Sequence, residues 1–224
     1  MQKIIVAIDG FASTGKSSLA KRLAKTLNYT YIDSGAMYRA VTYFGIQKGH
    51  QGYINQEKLI AQLDQIEIYF KYSKSGHQTF LNGLNISKEI RLSEVTEQVS
   101  KVSKILEVRA LLVTQQQKLG AKKGIIMDGR DIGTVVFPKA ECKFFLKASP
   151  EIRAKRRHLE QIEAGSNESF ASVLSNIKDR DLMDTTRKIS PLTKADNAIE
   201  IDVSDMNLEE VYQQLWEHIS KNII

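Results

Sequence analysis

Little in this chain points to a secreted or membrane protein. One cysteine, Cys142, stands among 224 residues, so no disulfide can form within the chain. No apolar run approaches the roughly 18 residues that cross a membrane, and the first residues lack the pattern of a signal peptide. These absences favour a cytoplasmic enzyme or binding protein. Because Cys142 adjoins the apolar run "KFFLKA", we expect its thiol to be buried and unreactive.

Prolines and low-complexity tracts are also scarce. The chain contains three prolines and thirteen glycines, and no segment repeats, so we predict neither a disordered tail nor a flexible linker. Its length suits one sizeable domain with a buried core. The net charge of +6, from 32 basic and 26 acidic residues, suits nucleic acid, a membrane surface or a small anionic substrate. The positions of these charges must distinguish the three.

Alternating apolar and helical patterns predict an α/β fold. Short, mostly apolar segments, which are typical of strands buried on both faces of a parallel sheet, are residues 3–9, 30–33, 124–128, 143–148 and 198–202. Helical patterns occur at residues 17–27, 36–47, 94–119, 150–163, 169–183 and 208–219. Capping signals mark the starts of two helices, at Ser149 and Asn207. This alternation predicts a three-layer α/β domain.

One region departs from that pattern. Residues 66–87 alternate with period two and contain the turn signals Ser75-Gly76 and Asn82-Gly83. They predict a small antiparallel meander. A β insert within an α/β frame suggests a subdomain that closes over a ligand.

A phosphate-binding loop follows the first predicted strand. The run "GFASTGKS" fits G-x-x-x-x-G-K-[ST] between a strand and a helix, which is the context this motif requires. Backbone amides then face a phosphate, Lys16 reaches its oxygens and the Ser17 hydroxyl binds Mg²⁺. The residues expected to bind ATP are Gly10, Phe11, Ala12, Ser13, Thr14, Gly15, Lys16, Ser17 and Ser18.

Two motifs bear on whether the phosphate is transferred or hydrolysed in a switch. The run "TKAD" at 193–196 is similar to a guanine-specificity motif, but it follows Pro191 instead of ending a strand, and no D-x-x-G element follows Asp128. We therefore set the GTPase switch aside. In "IIMDGRD", Asp128 ends an apolar strand and is a candidate for orienting Mg²⁺. A carboxylate that only caps a turn is the alternative.

Arginines cluster in three further segments. Arg39 lies about one helical turn beyond the second strand, and Arg130 and Asp131 follow the third strand, where open α/β sheets bind ligands. Residues spaced i, i+4 and i+7, and therefore expected on one helix face, are Arg180, Asp184 and Arg187. Such a face suits a ligand with phosphate and hydroxyl groups, although an intrahelical ion pair is the plainer alternative. The basic run "RAKRRHLE" is usually a solvated helix face.

Four motifs together identify a family. The runs "IDGFASTGKSS", "DSGAMYR", "MDGRDIGTVVFP" and "RD…D…R…SPL" resemble, in order and spacing, the bacterial cytidylate kinase family, over essentially the whole chain. The resemblance implies a P-loop NTPase fold with a five-stranded parallel sheet, a small antiparallel β insert and a helical lid. It also implies transfer of the γ-phosphoryl group from ATP to CMP or dCMP with Mg²⁺, in pyrimidine nucleotide metabolism.

The resemblance implies contacts with the base and sugar of CMP. Ser34, Arg109 and Asp131 match the family's cytosine contacts, and these residue types suit the base because a carboxylate accepts from its amino group and Arg donates to its carbonyl. The residues expected at or near the sugar are Arg180, Asp184, Ser100 and Tyr38.

The resemblance also implies how charge on the phosphates is stabilised. Arg39, Arg130 and Arg187 are expected to bind the acceptor phosphate, and Arg153 and Arg157 to belong to a lid over ATP. With Lys16 and Mg²⁺, with Ser17 and Asp128 as its ligands, these arginines stabilise the transferring group, so that no strong general base is needed. Phe11 stands where the family usually has proline. Leu182, Met183, Thr185 and Thr186 stand where some relatives have arginines.

The expected organisation is a single kinase domain over 1–224, with a core of 1–65 and 96–224, an acceptor-binding β insert at 66–95 and a lid at 150–168. We expect a monomer whose partners are ATP and CMP or dCMP, with neither nucleic acid nor a membrane. A kinase of the same fold acting on UMP or AMP is the nearest alternative. An RNA-binding ATPase is another, although no aromatic residues alternate with basic ones in the manner that stacks bases.

Overall fold

A computed structural model describes residues 2–73 and 76–223 of the chain. The strands in chain order are β1 (Ile5–Gly10), β2 (Thr30–Asp33), β3 (Ile68–Ser73), β4 (Gly76–Leu81), β5 (Leu84–Asn85), β6 (Ile125–Gly129), β7 (Cys142–Lys147) and β8 (Ile199–Asp202). The α-helices are α1 (Lys16–Leu27), α2 (Ser34–Lys48), α3 (Gln56–Ile60), α4 (Ser93–Val102), α5 (Leu106–Gly120), α6 (Pro150–Glu163), α7 (Phe170–Thr186) and α8 (Leu208–Ser220). A short π-helix, Ile132–Val136, follows β6.

The main sheet has five strands in the order β2-β6-β1-β7-β8. Strand β1 pairs in parallel with β6 and β7, and β7 pairs in parallel with β8. Each of these strands lies within two residues of its predicted bounds. The central strands are buried almost throughout, as expected for a parallel sheet that is covered on both faces. The predicted α/β fold is confirmed.

A hydrophobic core lies between this sheet and helices α1 and α8. Alternate strand residues such as Ile8 and Phe144 pack with Leu23 of α1 and Leu215 of α8, because side chains alternate across a strand with period two. Cys142 also belongs to this core. The expected burial of this cysteine is confirmed. Burial, followed by the charge of Glu141, raises the pKa of its thiol to about 11, which disfavours the reactive thiolate.

The chain forms two compact units. The first comprises Met1–Ile32 and Leu119–Ile224, and the second comprises Asp33–Lys118. The second unit contains α2, α3, α4 and the antiparallel sheet β3-β4-β5, so the predicted meander is confirmed. Its turn at Asn82-Gly83 has positive φ at both residues, as a tight two-residue hairpin requires. The other predicted turn, at Ser75-Gly76, lies partly outside the described residues.

The prediction of one long helix over residues 94–119 was wrong. Helix α4 ends at Val102, and α5 begins at Leu106. At the break, the Ser103 hydroxyl donates to the carbonyl of Ser100 at 3.0 Å, and the Ser103 carbonyl accepts from Arg109 at 3.1 Å. Such local side-chain bonds compete with the helical hydrogen-bond ladder. Because the hydrophobic pattern continues across the break, periodicity alone did not reveal it.

Both predicted capping signals are present. The Ser149 hydroxyl accepts from the backbone amide of Ile152 at the start of α6, and Asn207 forms a capping box with Glu210 at the start of α8. In the part of the chain that the structure describes, no helix is long and apolar enough to cross a membrane.

Candidate active site

The phosphate loop joins β1 to α1 in the first unit. Gly10 has φ of 141°, and a Cβ there would lie 2.0 Å from the carbonyl oxygen of Leu146. Gly15 has φ of 84° and immediately precedes α1. Both positions need glycine, the first for close approach to β7 and the second for its left-handed backbone. The loop therefore presents the amino end of α1, which carries a partial positive charge.

Lys16 is buried at the first position of α1. Its ammonium donates to the carbonyl of Phe11, and to the hydroxyl of Thr14 at 3.2 Å. Burial, with help from the positive charge of Arg130, lowers the pKa of Lys16, while Asp128 and Asp9 act in the opposite direction. The ammonium thus donates to neutral oxygens of the loop itself. A phosphate oxygen is charged, so it is a stronger acceptor than either of them.

Ser17 and Asp128 lie together below the loop. The Ser17 hydroxyl donates to Oδ2 of Asp128 at 2.7 Å, and the Tyr31 hydroxyl donates to its Oδ1 at 2.8 Å. A hydroxyl and a carboxylate are oxygen ligands of the kind that Mg²⁺ prefers, so this pair fits the predicted metal. Within residues 2–73 and 76–223, no group of three or more His, Cys, Asp or Glu side chains could hold a metal.

A second cluster of charges in the first unit follows β6. Arg130 donates through Nε to Asp184 at 2.8 Å, and Arg187 lies 3.6 Å from Asp131 and 3.9 Å from Asp184. Burial alone raises the pKa of Asp184, but Arg130, Arg180 and Arg187 outweigh it and hold the pKa below its usual value. The structure thus brings together five predicted residues, with Asp184 ionised among three guanidinium groups.

The sequence predicts that Arg180, Asp184 and Arg187 share one helix face, and the structure shows this face in part. Arg180 and Asp184 lie on α7, but Arg187 follows the helix end in an extended conformation. Its Nε donates to the Ser190 carbonyl at 2.6 Å. The Arg187 side chain still approaches Asp184. Proximity therefore survives, although the helical spacing that predicted it does not extend to Arg187.

The second unit holds the other predicted acceptor residues. Arg109 of α5 lies with its guanidinium 5.3 Å from the Tyr38 ring. Arg39 of α2 donates to the Thr96 hydroxyl at 2.8 Å and to the Ile90 carbonyl at 3.2 Å. The other two predicted residues, both buried, are Ser34 and Ser100. The structure thus brings Tyr38 close to Arg109, and it places Arg39 against α4.

Comparison with known proteins identifies the family. The family model described as cytidylate kinase matches residues 6–221, which is nearly the whole chain. The chain belongs to the cytidylate kinase family. Cytidylate kinases from Flavobacterium johnsoniae (98% of this chain, 97% of the relative) and Parabacteroides distasonis (100% and 99%) are each 52% identical to it. The cytidylate kinase of Bacillus cytotoxicus is 44% identical, over 98% of this chain and 97% of the relative.

A solved structure agrees with this fold. An uncharacterized protein from Eubacterium ventriosum aligns over 98% of this chain and 99% of its own, with a TM-score of 0.52 and 12% identity. This likeness concerns the fold alone.

Arg153, which the sequence predicted as part of a lid, makes contacts that the sequence did not reveal. The side chain, only 2% exposed, donates to both carboxylate oxygens of Asp181, at 3.0 and 2.6 Å. Its guanidinium also lies 5.0 Å from the ring of Phe11 in the phosphate loop. Arg157 is half-buried on the same helix. Contact of either arginine with ATP stays a prediction.

Sequence reasoning missed Tyr31 and Asp181 as partners of predicted site residues. Tyr31 occupies an apolar strand, where an aromatic residue usually indicates packing alone. Asp181 adjoins Arg180 in "DRD" and carried no spacing signal toward Arg153. Only the tertiary structure shows that Tyr31 contacts Asp128 and that Asp181 contacts Arg153.

Proposed function

We propose that this kinase transfers the γ-phosphoryl group of ATP to CMP or dCMP, giving ADP and CDP or dCDP. The family makes the chain an ATP-dependent nucleoside monophosphate kinase. The observation that carries the choice of residues is the pairing of β1 with β6, in which Asp9 lies beside Gly129. This register brings the phosphate loop and the segment Arg130-Asp131 to neighbouring strand ends, where open α/β sheets bind ligands.

The donor side of the proposal uses the phosphate loop. Amides from Gly10 to Ser18 surround the phosphates of ATP, and Lys16 exchanges the Phe11 carbonyl for a phosphate oxygen. Ser17 and Asp128 hold Mg²⁺, which fits their 2.7 Å approach. When bound, the ion neutralises part of the charge on the phosphoryl oxygens. Tyr31 keeps the Asp128 carboxylate oriented through its own hydrogen bond.

The acceptor side of the proposal uses the cluster after β6. Asp131 accepts a hydrogen bond from the cytosine amino group, since an ionised carboxylate only accepts. Arg130 and Arg187 bind the CMP phosphate, and Arg180 and Asp184 bind the sugar. From the second unit we propose Ser34 and Arg109 for the base, Arg39 for the phosphate, and Ser100 and Tyr38 near the sugar.

The chemical step needs charge stabilisation and alignment. An oxygen of the CMP phosphate attacks the γ-phosphorus, and the bond from that phosphorus to the β-γ bridging oxygen of ATP breaks, releasing ADP. Charge spreads over the equatorial oxygens in a loose transition state, and Lys16 and the arginines oppose it. We propose that Arg153 and Arg157 belong to a lid over ATP, which would exclude water as a competing acceptor.

The test is a coupled ADP-release assay with ATP and Mg²⁺, offering CMP, dCMP, UMP, AMP and GMP in turn. The proposal predicts strong turnover with CMP and dCMP and little with the others. A preference for UMP or AMP would contradict the proposed base contacts while leaving the phosphoryl transfer intact. Absence of transfer to every acceptor would contradict the proposal as a whole.

The remaining parts of the proposal concern context. We propose that the protein acts in pyrimidine nucleotide metabolism in the cytoplasm, where ATP and CMP are available, and that it works as a monomer. Light scattering behind size-exclusion chromatography checks the last point: a mass near 25.3 kDa supports a monomer, and twice that mass contradicts it.

A further inference from the structure

The carboxyl group of Asp9 has no part in the mechanism above, yet it is buried next to the phosphate loop. Asp9 is the last residue before the phosphate loop and is 4% exposed. Its backbone lies in the centre of the main sheet, beside Gly129 of β6 and Phe145 of β7. An acid at such a position is costly unless its charge is matched by hydrogen bonds.

Both carboxylate oxygens of Asp9 accept backbone hydrogen bonds. The amide of Ile132 donates to Oδ1 at 2.8 Å, and the amide of Gly133 donates to Oδ2 at 2.7 Å. These amides belong to the first two residues of the π-helix, immediately after Arg130-Asp131. Because each oxygen is turned toward a backbone amide, Asp9 is oriented to hold this segment and not to bind a metal.

Gly133 makes this close approach possible. A Cβ at Gly133 would lie 3.4 Å from Oδ2 of Asp9 and 3.2 Å from Cδ of Lys143. Lys143 cannot easily yield, because its ammonium donates to the Pro138 carbonyl and, at 2.8 Å, to Asn197. The space on this side of the carboxylate is therefore closed, and a Cβ at position 133 would press the segment after Asp131 away from Asp9.

We propose that Asp9 is a positioning residue for acceptor recognition, which fixes the backbone after Asp131 and thereby aims Arg130 and Asp131 at the acceptor nucleotide. The inference rests on the proposed function, in which these two residues contact CMP. Asp9 acts through them and does not itself touch the substrate. Since β1 is held on both sides by β6 and β7, the phosphate loop keeps its own support when the side chain changes.

The first test is the D9N variant, assayed at pH 8 with CMP and ATP varied separately. Asparagine keeps the shape but turns a donor toward one of the two amides, so one hydrogen bond is lost and a donor faces a donor. We expect the KM for CMP to rise about ten-fold, with the KM for ATP changed by less than about two-fold. Calorimetric titration of CMP in the absence of ATP should show the same loss of affinity. The matched control is D64N, since Asp64 is exposed.

The second test is the G133A variant. Its added Cβ crowds the contact between residue 133 and Asp9, while the Asp9 carboxylate itself is unchanged. We expect the same asymmetry, with the KM for CMP raised and the KM for ATP unchanged. This variant decides the matter if D9N does not fold.

The inference is overturned if the folded variants change both Michaelis constants alike, as a general loss of structure does, or change neither. Failure of the proposed function would look different, because the unaltered protein itself would then not phosphorylate CMP.

Discussion

At the scale of single residues, ionised and buried side chains carry most of the proposed chemistry. Asp131 illustrates this, because its carboxylate lies 3.6 Å from Arg187 and follows Arg130 directly. An ionised carboxylate accepts hydrogen bonds and donates none. In the proposed site, Asp131 would therefore favour a base that offers an amino group, which cytosine has at the position where uracil has a carbonyl.

Replacement of Asp131 by asparagine should impair use of the acceptor. We expect the kcat/KM for CMP to fall by about 100-fold, the equivalent of about 3 kcal/mol for a lost charged hydrogen bond. The KM for ATP should change little. Steady-state kinetics with each substrate varied provide the measurement, with D64N as the control. Unchanged turnover of CMP would show that Asp131 does not bind the base.

The ionisation of Asp9 should make stability depend on pH. Burial, opposed by the amides of Gly133 and Ile132 and by Lys16 but assisted by Asp131, raises the pKa of Asp9 to about 7. The folded state then binds more protons than the unfolded state between about pH 4 and pH 7, so the free energy of unfolding falls as pH rises through this window. Above about pH 7 this contribution is fully lost.

Comparison with D9N isolates that contribution. Between pH 5 and pH 8, the unaltered protein should lose about 3 kcal/mol of stability relative to D9N. Urea unfolding at both values measures it. A difference between the two proteins that stays the same at pH 5 and pH 8 would contradict a raised pKa at Asp9.

At the scale of elements, the junction of β1, the phosphate loop and α1 is the most strongly specified part of the chain. Only glycine can pass the Leu146 carbonyl as closely as Gly10 does. The motif must therefore contain glycine at this position, and this requirement made the loop recognisable from the sequence alone. The break between α4 and α5 was not visible in this way. Hydrophobic periodicity continues across it, whereas the hydrogen bonds of Ser103 and Arg109 that redirect the chain depend on side-chain geometry.

Substitution of Gly10 by alanine should damage the loop. Its Cβ would overlap the Leu146 carbonyl, so β1 and β7 must separate or the loop must shift. We expect kcat/KM for ATP to fall by at least about 100-fold, as displacement of a site by about 1 Å commonly causes. G83A is the matched control, since Gly83 also has positive φ but has open space around it. Equal effects of both variants on ATP kinetics would count against the steric explanation.

At the scale of the whole molecule, the excess of six positive charges has two possible uses. A nucleic-acid surface would bind RNA at low salt. Arginines that face bound polyphosphates would give no such binding. Three of the arginines gather around Asp184, which favours the second use.

We therefore expect single-stranded RNA to leave the rate of ATP turnover unchanged at low salt. The coupled assay, repeated with increasing oligonucleotide and without CMP, measures this, and CMP itself is the positive control. Stimulation of ATP hydrolysis by RNA that disappears at high salt would instead support the RNA-binding ATPase.

The sequence by itself determined the strands, the phosphate loop, the family and the residue types that suit ATP and CMP, because these depend on local periodicity, on glycine conformation and on contiguous motifs. Only the tertiary structure decided which distant side chains meet: Tyr31 with Asp128, Arg153 with Asp181, and Asp9 with the amides of Ile132 and Gly133. Those pairings join segments far apart in the chain. They follow from the parallel register of buried strands and the close packing of helices, which no local pattern records.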